Sequence, residues 1–532
     1  MPAHSPTVGE ALVTLLEQAG IDTVFGIPGV HTIELYRGLA TSSIRHITPR
    51  HEQGAGFMAD GYARVSGRPG VCFVITGPGL TNTLTAMAQA RADSIPMLVI
   101  SGVNATATLG QGRGHLHELP DQAALASTVA LWSHTLTNPA DLGDVLAHAF
   151  TVMTSGRPGP VHIEIPTDVM KLPADAAGFI MPAPQPTHPV AADLEAAARL
   201  CAEARTPAIL IGGGAVRHAA ALRRFAEAID APVISTTNAR GIMAGHDLDV
   251  PASPSLASVR DMLNQSDLVL ALGTELGPTD CDMYEDGGFT LPAQLIRVDV
   301  DATQLARGAK PALAVHADLG AFLDDMFSTT SALKNSLTRA GAERAHAARD
   351  QAKAEMDETY LGHINMLQDI WRSLPDATLV GDSTQLVYAG NMYVEAPRPA
   401  SWFNSATGFG TLGYAAPAAI GAALGHPGRP AVALLGDGGF QFTLAELGSA
   451  RDCNADVAFL VWNNSGYMEI ETSMISADIT PIGVTPSAPD FSAVAAAYGL
   501  PSRRVTSQAD LISALKDLSR PCLIEYLAPA SA

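Results

Sequence analysis

The sequence predicts an α/β protein with three doubly wound parallel-sheet domains. Two patterns carry this expectation. Short apolar runs rich in Val, Ile and Leu recur along the chain, several bounded by glycine turns, and Ala-rich stretches at helical spacing separate them. Runs that are apolar throughout belong to strands covered on both faces, as in a parallel sheet. Length supplies the count: 532 residues, at roughly 100–200 per domain, make about three domains.

The elements follow in order. The first block, residues 1–172, has its clearest strands at 71–76, 97–101 and 161–165. A Pro/Ala-rich stretch, 173–189, reads as a linker. The central block, 190–330, has strands at 208–211, 233–236, 268–272 and 295–300. Its first strand runs into Gly212-Gly213-Gly214, which lacks the full G-x-G-x-x-G pattern and reads as a tight strand-to-helix turn, with a phosphate cradle as the alternative. An Ala- and charge-rich stretch, 331–360, reads as a helical connector. The third block, 361–532, has strands at 378–380, 432–435, 457–462 and 522–526.

Composition narrows the function classes. Hydrophobic residues make up 47% and charged residues 16%, which indicates a large core and excludes a disordered chain. The net charge of −21 argues against a nucleic-acid partner, since no broad basic face can form against phosphates. The five cysteines, Cys72, Cys201, Cys281, Cys453 and Cys522, are scattered and odd in number, as expected in a reducing compartment. The start of the chain shows no basic segment followed by an apolar one, and no run of about 20 residues reads as a membrane span. The expectation is a cytoplasmic protein with no membrane partner.

Chemistry concentrates in the third block. An apolar strand, 431–435, runs into Gly436-Asp437-Gly438-Gly439-Phe440, and a helix carrying Leu444, Leu447 and Ala450 is expected to follow. Glycines at such a turn let backbone N–H groups approach an anion. Asp437 alone would repel a phosphate, but with a divalent cation between them it becomes a ligand. The next strand ends at Asn463-Asn464-Ser465-Gly466-Tyr467, with Asn464 27 residues after Asp437. That separation suits adjacent parallel strands joined by one crossover, so both residues are expected side by side at the C-terminal sheet edge, where open α/β sheets bind ligands. A carboxylate, an amide oxygen and a backbone carbonyl make half an octahedron of hard donors. Mg²⁺ prefers such an incomplete set, completed by phosphates and water.

These two segments resemble the signature of thiamine diphosphate enzymes, in the branch of acetolactate synthases and 2-oxo acid decarboxylases. The resemblance spans the whole chain and is weakest in the central block. It implies pyrimidine-binding, central and diphosphate-binding domains, and Mg²⁺ held by Asp437, Asn464 and the carbonyl of Gly466, with Gly436, Gly438, Gly439 and Tyr467 against the cofactor. Arg50-His51-Glu52-Gln53-Gly54-Ala55 resembles the pyrimidine-binding segment, in which Glu52 would contact the aminopyrimidine ring. A carboxylic acid hydrogen-bonded to N1′ stabilises the imino tautomer needed for carbon acidity at C2. Gly26-Ile27-Pro28-Gly29 resembles the first active-site turn, and Thr76-Gly77-Pro78-Gly79-Leu80-Thr81-Asn82 the second loop, so Pro28 and Asn82 join the cofactor set. Gly156-Arg157-Pro158-Gly159-Pro160-Val161 resembles the strand that ends the first domain. The stretch 408–417 resembles the one under the pyrimidine, with Leu412 as the wedge and the Gly410 carbonyl accepting from the 4′-amine. Ser383 and Gln385 occupy a diphosphate-contacting loop. The resemblance also implies a homodimer or homotetramer, since the two halves of such sites come from different subunits.

Departures from each branch bear on the reaction. Pyruvate decarboxylases have Asp where Val30 stands and Glu where Ile470 stands; acetolactate synthases have a Trp after the Asn-Asn segment, which 468–473 lacks. His117, in Gly112-Arg113-Gly114-His115-Leu116-His117-Glu118, falls where the synthases carry a Gln near the reacting carbon. His117 and His115 are therefore candidate catalytic residues, able to donate to an oxyanion or protonate an enamine near neutral pH. Within the family the combined motifs resemble most the 5-guanidino-2-oxopentanoate (2-ketoarginine) decarboxylases of arginine catabolism. That implies non-oxidative decarboxylation of a small 2-oxo acid to an aldehyde and CO₂, here 4-guanidinobutanal. An acetolactate synthase-type carboligase acting on pyruvate is the alternative. A guanidinium substrate favours carboxylates with fork geometry, and Glu469 and Glu471 are candidates for substrate contact, as are Val30 and His31; solvated helix charges are the other reading of the two glutamates. FAD in the central block, as in acetolactate synthases, is left open and not favoured.

Overall fold

A computed structural model describes residues 5–528 apart from 177–179, 184, 284–288, 293 and 330–339. The first sheet contains β1 (Thr23–Gly26), β2 (Arg45–Ile47), β3 (Gly70–Val74), β4 (Met97–Val103), β5 (Trp132–Thr135) and β6 (Pro160–Pro166), in the order β2-β1-β3-β4-β6-β5. The second contains β7 (Pro207–Ile211), β8 (Val233–Ser235), β9 (Asp249–Val250), β10 (Leu268–Leu272), β11 (Leu295–Asp299) and β12 (Leu313–His316), in the order β12-β11-β10-β7-β8-β9. The third contains β13 (Thr378–Gly381), β14 (Trp402–Asn404), β15 (Ala431–Gly436), β16 (Val457–Asn463), β17 (Ser502–Val505) and β18 (Cys522–Leu527), in the order β14-β13-β15-β16-β18-β17. Pairing within the sheets is parallel, and the expected fold class stands.

Every strand read from an apolar run is present. The strands that reading passed over are β1 and the outer strands of the three sheets, β2, β5, β9, β12, β14 and β17. An outer strand pairs on one side only and need not be apolar throughout: β5 is half-buried along its length, and β17 carries Arg503 and Arg504. β9, β14 and β1 are buried but span four residues or fewer.

The chain divides into two compact units. One comprises Met1–Pro184, Phe409–Thr506 and Asp517–Ala532, and the other Gln185–Gly408 and Ser507–Lys516. In the stretch 173–189, Pro173 bridges to Thr7 and the other described residues form no regular element; 177–179 and 184 lie outside the described residues. Of the connector 331–360, residues 331–339 lie outside them too. The rest forms the helix Gly341–Ala354 and the start of a second, Glu358–Ser373. The glycine turn after β7 leads into a 3₁₀ segment, Gly213–His218. A Cβ at Gly212 would come within 2.4 Å of the Gly273 carbonyl oxygen, so backbone packing against the end of β10 requires glycine there.

The first unit is held by a crossing of two helices, α1 (Glu52–Ser66) and α2 (Ala415–Gly425). Every residue of α2 from Ala415 to Leu424 is buried, and its Pro417 sits in the first turn, where the missing N–H is tolerated. The helices meet backbone to backbone. A Cβ on Gly61 would lie 2.0 Å from the Ala418 carbonyl oxygen, and one on Gly421 would lie 1.9 Å from that of Met58. Beside the crossing, buried Arg64 bridges Asp60 and Asp93 at 2.6 Å each, and the Tyr414 hydroxyl donates to Asp60. Removing one member of such a buried ionic set leaves the others uncompensated.

A Gly421→Ala substitution is expected to cost about 2–3 kcal/mol, since backbone cannot yield as a side chain can. Gly362→Ala, in an exposed helical position with no neighbour within 4 Å, is expected to add about 0.5–1 kcal/mol. Thermal unfolding of the two variants measures this, and equal midpoints would contradict the close crossing.

Candidate active site

β15 and β16 run in register, with Gly436 opposite Trp462. The residues just beyond them, Asp437 and Asn464, therefore leave the sheet side by side, and the Asn464 N–H donates to Asp437 Oδ1 at 3.3 Å. Burial pushes the Asp437 carboxyl up, opposed by backbone N–H groups of Asn464 and Gly466. The side chain of Asp437 is 1% exposed. Tyr467 lies over Gly438, where a Cβ would come 2.4 Å from its ring. Gly436 and Gly439 flank the same turn.

The helix expected after this turn is broken. A four-residue helix, Asp437–Phe440, is followed by a turn and then the helix Glu446–Asp452, so Leu444 stands in the turn while Leu447 and Ala450 are helical. So short a first helix brings little macrodipole to the turn. Attraction for an anion there falls on the local backbone N–H groups and on any cation the turn holds.

The donor set suits a hard cation. Among the described residues no group of three or more His, Cys, Asp or Glu is placed to hold a metal. Asp437 is instead met by backbone N–H groups from the neighbouring strand end, and its burial penalises an uncompensated charge, which a divalent ion would relieve. The loop carrying those N–H groups is braced by a buried carboxylate. Buried Glu525 accepts from Asn463 Nδ2 at 2.8 Å and Arg504 Nε at 2.7 Å, and Asn463 Oδ1 accepts from Ser465 N–H at 3.1 Å. Ser465 takes the left-handed conformation at φ 67°. Sequence reading missed Glu525 because it lies on a distant strand.

In the first block, Glu52 opens helix α1 and is half-buried. Asn82, on the helix Pro78–Ala92, donates through Nδ2 to Glu52 Oε2 at 3.0 Å. The turn after β1 leaves Pro28 and Val30 exposed, while His31 turns inward against His117, ring centroids 5.4 Å apart and edge to face. Burial, and then the proximity of His117, lowers the pKa of His31. His117 has φ 62°, whereas His115 is exposed. The structure thus brings together Glu52 with Asn82, His31 with His117, and Asp437 with the segment from Asn464 to Gly466. Gly410 has φ 72° and open space around it, and Leu412 is half-buried. In the other unit, Ser383 follows β13, and Gln385 begins the helix Gln385–Met392. Glu469 and Glu471 fall in the first turn of the helix Met468–Ser476, which buries none of its residues, and neither makes an ion pair among the described residues.

The histidine loop is shaped by a residue to which the sequence assigned no role. The Glu118 carboxylate accepts from the backbone N–H of Gly112 and Gly114 at 2.8 Å each and of His115 at 2.9 Å. Gln122 ties the same region to the sheet: its Oε1 accepts from Gly77 N–H at 2.8 Å, and its Nε2 donates to the Gly102 carbonyl at 2.9 Å and to Glu164 at 3.0 Å. The available signal for Glu118 was an acid closing a glycine-rich loop.

These N–H bonds, that of His115 foremost, hold the Glu118 carboxyl below its ordinary 4.5. The stabilisation is therefore present above about pH 4.5 and is lost as pH falls through the depressed value. Amide-exchange protection in 112–115, taken relative to the intrinsic rate at each pH, should fall on acidification in the native chain and be low at every pH in Glu118→Gln. Unchanged exchange in the variant would contradict this role.

Comparison with known proteins agrees with this geometry. Family profiles described as "Thiamine pyrophosphate enzyme, N-terminal TPP binding domain", "central domain" and "C-terminal TPP binding domain" match residues 6–125, 194–326 and 382–526. The chain is 43% identical over 508 residues to the probable 2-ketoarginine decarboxylase AruI of Pseudomonas aeruginosa, covering 94% of this chain and 90% of that one. It is 30% identical to the acetolactate synthase isozyme 1 large subunit of Escherichia coli, covering 97% and 92%. It is 31% identical to the acetolactate synthase large subunit of Corynebacterium glutamicum, covering 98% and 86%. Matched by all three family profiles, with Glu52 and the Asp437–Asn464 turn in the two stretches described as TPP-binding, the chain belongs to the thiamine pyrophosphate enzyme family.

Proposed function

We propose that this enzyme decarboxylates 5-guanidino-2-oxopentanoate to 4-guanidinobutanal and CO₂, without oxidation, as a step of arginine catabolism. The observation that carries this reading is 43% identity over 94% of the chain to the probable 2-ketoarginine decarboxylase, against about 30% to acetolactate synthases. Loss of the synthase Trp and the presence of His117 add to it.

Thiamine diphosphate, when bound, supplies the electron sink for loss of CO₂. The residues of the chain bind and orient. Asp437, the Asn464 amide and the Gly466 carbonyl would hold Mg²⁺ against the diphosphate, with Gly436, Gly438, Gly439 and Tyr467 around it. Glu52 holds a proton at its carboxyl for the aminopyrimidine edge, and Asn82 fixes the direction of that carboxyl. Pro28, Gly410 and Leu412 would line the ring. His117 donates to the reacting oxygen, with His31 packed on it and His115 at the loop rim. Val30, Glu469 and Glu471 face the substrate, the two carboxylates toward its guanidinium.

A homodimer or homotetramer completes the site. Val30, Leu116, Phe409, Phe442 and Ile470, each more than half exposed, supply apolar surface for a second copy. Among the described residues no helix is long and apolar enough to cross a membrane. The free cysteines suit the cytoplasm.

Purified protein with Mg²⁺, thiamine diphosphate and a panel of 2-oxo acids tests the reading. CO₂ and 4-guanidinobutanal from 5-guanidino-2-oxopentanoate are expected. Acetolactate from pyruvate, with no turnover of the guanidino acid, would replace the decarboxylase by a carboligase. Glu52→Gln should lower kcat on the order of 10²–10⁴-fold, and Asp437→Ala should abolish magnesium-dependent retention of thiamine diphosphate. A flavin band in the visible spectrum would place FAD in the central domain.

A further inference from the structure

Glu446 opens the helix Glu446–Asp452, nine residues past Asp437 in the chain, and its side chain is 1% exposed. A carboxylate so deeply buried needs strong partners. It finds them on the segment that presents Glu52. Oε1 accepts from the backbone N–H of Arg50 at 3.0 Å and of His51 at 3.2 Å, and Oε2 from Arg50 N–H at 3.1 Å. The Ser449 hydroxyl donates to Oε2 at 2.6 Å and sets its orientation. Arg50 and His51 immediately precede helix α1, and His51 caps it, Nδ1 accepting from Gln53 N–H at 3.2 Å.

The surroundings are shaped to this contact. A Cβ on Gly54 would come 2.2 Å from Glu446 Oε1, so glycine at 54 makes room for the carboxylate. The Arg50 guanidinium lies over Gly448, where a Cβ would come 3.0 Å from it, and reaches Asp452 at 2.6 Å. The charged and titratable groups around the contact are thus Arg50, His51 and Glu52 from the first block and Asp452 from the helix of Glu446 itself.

We propose that Glu446 is a positioning residue for Glu52, gripping the two backbone N–H groups before it and so fixing where the Glu52 carboxyl meets the aminopyrimidine. This rests on the reading of Glu52 given above. Shortening or neutralising Glu446 frees the start of α1, and a displacement of even 1 Å at a proton-holding group costs on the order of 10²-fold in rate. The helix crossing farther along α1, at Gly61 and Gly421, is untouched by the change, so the fold remains.

The test uses full-length Glu446→Gln, Glu446→Asp and Ser449→Ala, with Asp452→Asn as a control that removes only the outer ion pair. Glu446→Gln is expected to speed amide exchange at 50–54 in the cofactor-free protein roughly tenfold, as for loss of hydrogen bonds to a charged acceptor. It should also weaken thiamine diphosphate binding measured by calorimetry with Mg²⁺, and lower kcat with KM for the 2-oxo acid unchanged. Glu446→Asp should recover part of each loss, Ser449→Ala should fall between, and Asp452→Asn should match the native chain. If Glu446→Gln does not fold, Ser449→Ala carries the same comparison. Native exchange at 50–54, or native kcat and cofactor affinity beside a lowered thermal midpoint, would overturn the proposal. A fully active Glu52→Gln with fast exchange at 50–54 in Glu446→Gln would instead sink the reading of Glu52 and leave the grip itself in place.

Discussion

The backbone contact between the helices Glu52–Ser66 and Ala415–Gly425 is the constraint on which the first unit depends. Glycines at 61 and 421 let each helix press on a carbonyl of the other, at distances no Cβ would allow. The contact joins residues more than 350 positions apart, and no local propensity specifies it. Close dispersion contact and the buried Asp60–Arg64–Asp93 set, closed by Tyr414, do the holding. Two segments with candidate site residues are thereby set in one compact unit: Glu52 at the start of one helix, and Gly410 with Leu412 just before the other.

Around that body the polar groups are arranged to place backbone rather than to meet a ligand themselves. Glu118 gathers three N–H groups of the histidine loop, Gln122 ties the Thr76–Gly77 turn to the end of β4, Glu525 braces the Asn463–Gly466 loop, and Glu446 holds the start of α1. Gln122, Glu525 and Glu446 sit on a strand or helix and Glu118 in the loop it closes, and each fixes a segment that carries or adjoins a candidate ligand or proton donor. A site that must hold a charged diphosphate and an aminopyrimidine at once needs such preorganised support, because misplacement by an ångström is expensive in rate.

The Asp437 turn illustrates how a short motif and a long-range register combine. Glycines allow the turn, but it is the parallel pairing of β15 with β16 that brings Asn464 to the carboxylate. The helix after the turn is only four residues, so a helix dipole adds little there and backbone N–H groups are the nearest positive ends. The buried Asp437 carboxyl is correspondingly costly to ionise alone.

Residue pattern alone was enough for the fold class, the family and every interior strand except Thr23–Gly26. Fully covered strands must be apolar along their length, and a metal turn needs its glycines, carboxylate and amide at fixed spacing. It did not mark the six outer strands, because a strand paired on one side can be polar or very short, as Ser502–Val505 and Trp402–Asn404 are. Only the tertiary structure decided which histidine meets His31, that the helix after Asp437 breaks, and that Gly54 and Gly421 are glycines for the sake of Glu446 and Met58. The glycine contacts join segments hundreds of residues apart, and the histidine pairing depends on a loop shaped by the Glu118 carboxylate. Residue type and local spacing carry no record of either.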